Sequence, residues 1–249
     1  MLFRRRQVWV PTLWGALALL VLAAAALFAL AFAANGFLAP TSPARGVDGS
    51  GARTLVVEGW IDATELAQAV ARVEQGRYER VLTTGGPIEA WSDAGDWKTY
   101  AHRAAGHLRT HGVTSVPVLA LPAPASKQDR TYLSAVMVRD WAQRSGVTLR
   151  AVDLFTAGVH ARRSRLLYRM ALGDAVEVGV IAADPQDFDA RRWWTTSAGA
   201  KSTLGEALSL AWTHCCFWPA SPGSHEERWA VPPARSPAAA AGVPDPVAH

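Results

Sequence analysis

Thr156-Ala157-Gly158-Val159-His160-Ala161-Arg162-Arg163-Ser164-Arg165-Leu166-Leu167-Tyr168-Arg169 follows a run, Leu149-Arg150-Ala151-Val152-Asp153-Leu154-Phe155, that alternates and then turns apolar as a buried strand does. It leads into helical spacing at Leu166, Leu167 and Met170, so it reads as a strand-to-helix turn. In an open α/β sheet, ligands collect at such turns because strand carboxyl ends and helix amino ends converge on one crevice. His160 and Arg163 are three residues apart and share one helix face beside exposed backbone N–H groups, an arrangement suited to an anion. The plain alternative is a solvated basic face.

Upstream, Thr54-Leu55-Val56-Val57-Glu58-Gly59 reads as a short buried strand ending at a glycine, and Asp62-Ala63-Thr64-Glu65 has capping-box spacing. Leu66, Ala69, Val70 and Val73 continue at helical spacing. A second strand, Arg80-Val81-Leu82-Thr83-Thr84, leaves through Gly85-Gly86 towards Glu89. A helix over 97–111 is closed by Gly112, and Val116-Pro117-Val118-Leu119-Ala120-Leu121 is a third strand, with Pro117 tolerable only near its start or at an edge. A loop then reaches Asp129, which can cap a helix bearing Tyr132, Leu133, Val136 and Trp141. Downstream, Ala175-Val176-Glu177-Val178-Gly179-Val180-Ile181-Ala182 is a fifth strand and Asp184-Pro185-Gln186-Asp187 a turn. The last helix is expected to start at Thr203 as N-cap with Glu206 at N3, its inner face marked by Leu204, Leu208 and Trp212. Five strands alternating with helices predict an α/β fold, a doubly wound, mainly parallel five-stranded sheet.

The 249 residues suffice for one sizeable core. Arg4, Arg5 and Arg6 precede an uncharged stretch, 8–34, long enough to cross a bilayer, which needs about 20 apolar residues. Arginines before it, and none after it until Arg45, predict a single-pass anchor in the cytoplasmic membrane with the following domain extracytoplasmic, hence periplasmic. A cleaved signal peptide is the competing reading, since Ala31-Phe32-Ala33-Ala34 offers small residues to a peptidase. Residues 35–53, rich in Pro, Gly, Ser and Ala, read as a flexible linker, 54–218 as the α/β domain and 219–249 as a disordered tail.

The formal charge of +4 owes three units to the arginine cluster, leaving 4 − 3 = +1 for everything after it, and no nucleic-acid motif is visible. Nucleic acid is set aside as a partner. The first turn lacks Gly-x-Gly-x-x-Gly, and neither a phosphate-binding Gly-x-x-x-x-Gly-Lys-Ser/Thr nor a Gly-x-Ser-x-Gly elbow occurs, so no particular cofactor is indicated. Cys215 and Cys216 are adjacent: a vicinal disulfide, pairing between chains and two buried thiols are all open. They cannot build a zinc site without distant histidines.

In a parallel sheet Gly59, Gly85, Gly86, Asp129, Thr131, His160 and Arg163 all fall at strand carboxyl ends or the following helix starts. Arg163 would hold an anion, with Gly85 and Gly86 presenting backbone donors. An imidazole changes charge near neutrality, which makes His160 the choice for proton transfer. Glu89 and Glu206 would orient the basic groups. Capping is the competing role for Asp129 and Glu206.

With these pieces placed, residues from about Leu55 to Trp212 resemble the YdcF-like domain family, the group that includes the envelope proteins SanA and ElyC. The resemblance is carried by Leu82-Thr83-Thr84-Gly85-Gly86 with Glu89, by Asp129-Arg130-Thr131, by Thr156 followed by His160-Ala161-Arg162-Arg163, and by Glu206. It implies a Rossmann-like domain acting in cell-envelope biogenesis or barrier function, with peptidoglycan or its lipid carrier as the connection. The ligand so implied is a phosphate-bearing envelope precursor or a nucleotide-like molecule. Two classes of function remain: an enzyme or binding domain acting on that ligand, and a non-catalytic scaffold for envelope enzymes.

Overall fold

A computed structural model describes residues 10–46, 49, 51–75, 78–88, 97–126 and 129–228. Five strands, β1 (Thr54–Glu58), β2 (Arg80–Gly85), β3 (Val118–Pro122), β4 (Ala151–Ala157) and β5 (Glu177–Ala183), form one sheet in the order β3-β2-β1-β4-β5 with every neighbouring pair parallel. Side-chain alternation divides the core in two. Leu55 and Val57 of β1 face the layer containing α2 (Ala63–Glu74) and α3 (Tyr100–Thr110), while Val56 faces the layer containing α4 (Arg130–Ser145) and α5 (Ala161–Leu172). The sheet is therefore covered on both sides, which is why β1 is buried along its whole length. The first three strands build outward from β1 in one direction and β4 and β5 in the other, leaving a topological switch point between β1 and β4.

Several local expectations hold. Asp62 and Glu65 exchange both bonds of a capping box on α2. Pro117 lies just before β3, an edge strand, and its carbonyl still accepts from the Val81 N–H at 2.9 Å. The apolar N-terminal helix, α1 (Leu13–Leu38), is long and apolar enough to cross a membrane. It starts later than 8 because the Thr12 side chain caps it, and it runs past 34.

Other expectations are corrected. The described part of 35–53 is no free tether: 35–38 complete α1, Ser42 forms an antiparallel bridge with Val180, and the Ala44 N–H donates to Asp153 at 2.7 Å. Asp153 is a buried carboxyl group that also accepts from the Tyr78 hydroxyl, so seating the segment gives a buried polar group its second donor. The last helix, α6 (Ser197–Cys216), begins before Thr203, capped by Thr196. Thr203 and Glu206 are thus interior positions, and no capping box exists there. Its buried residues are Gly199, Thr203, Glu206, Leu210 and Thr213, whereas Leu204, Leu208 and Trp212 face outward. Cys215 and Cys216 form a vicinal disulfide on exposed positions rather than buried thiols.

The described part of the expected tail, 219–228, is likewise held in place. Glu227 is fully buried, receives Arg139 through both its oxygens at 2.7 Å, and also accepts from the Tyr132 hydroxyl and the Gly223 N–H. This ion pair fastens residues after α6 onto α4.

Candidate functional site

The carboxyl ends of β1, β2 and β4 and the amino ends of α4 and α5 border one cleft of about 740 Å³. Gly85, Gly86, Asp129, Thr131, His160 and Arg163 line it. Residues up to 78 positions apart in sequence, Gly85 and Arg163, therefore meet at the switch point, because parallel strands bring all their exits to one rim. Glu89 lies outside the described residues.

One wall is built on a single carboxylate. Glu206 reaches from α6 to accept Arg163 Nε at 2.7 Å and Nη2 at 2.9 Å, and His160 Nδ1 at 2.8 Å. The expected spacing explains the pair: His160 is the N-cap of α5 and Arg163 lies one turn on, so both side chains point the same way. Burial opposes the charge on Glu206, but the bonds from His160 and Arg163 outweigh it and hold the carboxyl at about 2. With its Nδ1 proton committed to Glu206, His160 presents Nε2 to the cleft side of the ring. The 3.4 Å approach of Arg163 Nη2 to Nδ1 is then donor to donor and contributes no bond. Trp60 packs edge-on against the imidazole, with centroids 4.7 Å apart, and limits its rotation. Arg163 spends Nε and Nη2 on Glu206, so it can offer an anion Nη1 but no free bidentate fork.

The floor is different. The register that pairs Val57 with Phe155 places Glu58 next to Thr156 at the ends of β1 and β4. Glu58 is 1% exposed; Thr156 and Ser164 hydroxyls donate to its Oε2, the latter at 3.0 Å, and Oε1 has no hydrogen-bond partner. Burial raises its pKa, and the bond from Thr156 and the charges of His160 and Arg163 offset this only in part. Tyr168, also buried, is pushed well above the usual phenol value by burial and then by Glu58, and shares a hydrogen bond of 3.2 Å with Thr84.

The remaining expected residues play other parts. Gly59 does not offer a donor: its N–H is bound to the Thr84 carbonyl at 2.7 Å and its own carbonyl accepts from Arg103. A side chain there would sit 2.4 Å from the Tyr100 carbonyl, so the glycine serves close packing of α3 on the sheet. Gly85 has φ +141°, and a Cβ there would meet Tyr100. Asp129 does not cap α4 with its side chain; it holds a left-handed backbone, φ 49°, which is unusual for a residue other than glycine. Burial raises its carboxyl, with Arg163 opposing.

The sequence does not single out Glu58, Trp60, Tyr100 or Ser134 for the site, and it places Arg130 only at the helix start beside Asp129 and Thr131. Arg130 brings a second cation to the cleft, and Ser134 a buried hydroxyl. Among the described residues no hydroxyl or thiol bonds to His160, and no three His, Cys, Asp or Glu side chains converge as metal ligands. The arrangement can hold an anion between Arg130, Arg163 and two helix amino ends, and can move a proton at His160 Nε2. No protein-family model and no curated protein matches the chain.

Proposed function

We propose that this protein is a membrane-anchored, exported domain of the YdcF-like kind that binds an anionic, phosphate-bearing ligand of the cell envelope and uses His160 for proton transfer on it. One observation carries the reading: Glu206 clamps His160 and Arg163 so that Nε2 and Nη1 are left over at the same cleft that Arg130 lines. A carboxylate that fixes a histidine tautomer costs a buried charge, and the arginine beside it supplies the compensation. The arginines before α1 and their absence until Arg45 support a domain outside the cytoplasm.

Calorimetric titration of the purified protein with inorganic phosphate, a nucleoside diphosphate and a short-chain prenyl phosphate tests the binding. Wild type is expected to bind at least one, and Arg163→Ala to weaken it by about ten- to a hundredfold, the 1.5–3 kcal/mol of a charged hydrogen bond. Equal binding by both proteins removes Arg163 from the site, and binding of none sinks the ligand class. A folded His160→Ala, Arg163→Ala double variant that fully complements a deletion strain would favour the scaffold function. Reporter fusions after Arg53 should be active only as exported reporters.

A further inference from the structure

α6 presents an apolar face to solvent: Leu204 is 55%, Leu208 74% and Trp212 49% exposed, at helical spacing along one side. Contiguous patches of this kind mark interaction surfaces. Its position relative to α1 identifies the occupant. Trp193 Nε1 donates to the Ala31 carbonyl at 2.8 Å, Trp194 packs edge-on against Phe28, and Leu210 of α6 shares a buried cluster with Leu38 and Val159. At 1.5 Å per residue, Ala31 stands about 27 Å and Leu38 about 37 Å along α1 from Leu13, which brackets the outer edge of a hydrocarbon layer about 30 Å thick and its headgroup zone.

The chain then runs back from Leu38, at the carboxyl-end rim of the sheet, to Gly46, whose N–H donates to Glu177 at the start of β5. The rim carrying the cleft is therefore the one turned towards α1. The surroundings of the apolar face are cationic: Arg191 and Lys201 are exposed nearby, Arg192 pairs with Asp189 at 3.3 Å, and Arg162 lies over the Phe37 ring at 4.0 Å while donating to its carbonyl. Tryptophans at the boundary and basic side chains above it are what a headgroup layer selects.

We infer that the outward face of α6, with the turn Ala190–Thr195, docks on the outer leaflet of the bilayer that α1 spans. The inference rests on α1 being a membrane span and not on the identity of the cleft's ligand. Because Leu208 and Trp212 belong both to this face and to the cleft wall, the cleft opens at headgroup height.

Benzoyl-phenylalanine placed singly at Leu20, Leu208 or Arg144 in the full chain tests it, in vesicles of phosphatidylcholine and phosphatidylglycerol. Leu20 is on α1, and Arg144 is exposed near the carboxyl end of α4, away from the cleft. All three positions are exposed, so folding should survive. After irradiation, mass spectrometry should find lipid adducts at Leu20 and Leu208 and none at Arg144. Lipid at Leu20 with none at Leu208, a cross-link from Leu208 to a second copy of the chain, or as much lipid at Arg144 as at Leu208 would each overturn the docking face while leaving the anchor standing. No lipid at Leu20 would overturn the anchor and the docking face together.

Discussion

Among the described residues two buried carboxylates are clamped bidentately by arginine, Glu227 and Glu206, and they do different things. Glu227 fastens the segment after α6 to α4 and is closed on every side: Arg139, Tyr132 and the Gly223 N–H take both of its oxygens. Glu206 takes Arg163 and His160, and each of those partners keeps a nitrogen pointed away from it. A charge cluster whose every group is spent can only hold structure, whereas one that leaves a donor and an imidazole nitrogen at a cleft can also act on a ligand. The floor beneath Glu206 adds a third case, Glu58, a carboxyl that two hydroxyls hold and no cation touches.

The largest effect should come from breaking the closed cluster. Glu227→Ala strands the Arg139 guanidinium, 13% exposed, without its main partner. Removing one member of a buried ion pair costs about 3–5 kcal/mol, against which Asp140 at 3.2 Å offers partial relief. The thermal midpoint in detergent should fall by several degrees while phosphate-ligand affinity at the cleft stays as in wild type. A loss of affinity matching that of Arg163→Ala would show that the two clusters are not separate in function.

Next comes the open cluster. The Glu206 carboxyl lies at about 2 in the folded protein, against its usual 4.5. A depressed carboxyl stabilises the fold above its unfolded value and loses that contribution as pH falls through the folded one, so the window is from about 4.5 down to about 2. The contribution is about 3 kcal/mol. Glu206→Gln should therefore destabilise at neutral pH and flatten the stability slope in that acid window. It should also free His160 to flip, so ligand turnover should fall more than ligand affinity. A wild-type slope retained in the variant would mean Glu206 does not carry the acid dependence.

How much of this the sequence disclosed follows from which signals are local. The strand-helix alternation and the His160, Arg163 pair are local patterns, and both were legible because a three-residue helical spacing fixes which side chains meet. Glu206 was legible in its role of orienting the basic groups, but not in its place along the helix. Thr203 and Glu206 imitate a capping box, while Ser197, Ala198, Gly199 and Ala200, which in fact form the first turn of α6, have the composition of a loop. The inner face of α6 eludes the sequence for a related reason: its apolar stripe predicts Leu204, Leu208 and Trp212 inward, but the helix buries Thr203, Glu206 and Thr213 and turns Leu204 and Leu208 out. Glu58 reads from the sequence only as a strand residue, since nothing in Leu-Val-Val-Glu-Gly reveals that Thr156 and Ser164, about a hundred positions later, meet it. The seating of 39–46 on β5 and of 219–228 on α4 depends on Asp153 and Arg139, distant partners that composition cannot show.

The smallest expected effect discriminates most sharply between floor and wall. Burial raises the Glu58 pKa, so its sign is opposite to that of Glu206: its contribution is full below the usual 4.5 and is lost as pH rises through the higher folded value. Burial favours the neutral form of Glu58, and a neutral acid exchanges for an amide of similar shape at less cost than an ion-paired carboxylate does. Glu58→Gln keeps an acceptor for Thr156 and Ser164 but sets an amide nitrogen where Oε1 has no partner, so the change in urea midpoint should correspond to about 1–2 kcal/mol, less than for Glu206→Gln. The same variant should lose a protonated-carboxyl band in the infrared difference spectrum at neutral pH and flatten the decline in stability above the usual carboxyl range. If Glu58→Gln instead destabilised as much as Glu206→Gln and no such band disappeared, Glu58 would be ionised and paired through space with His160 and Arg163. The floor would then be part of the charged cluster, and the cleft would hold two carboxylates competing for the same cations, leaving less positive charge for an anion.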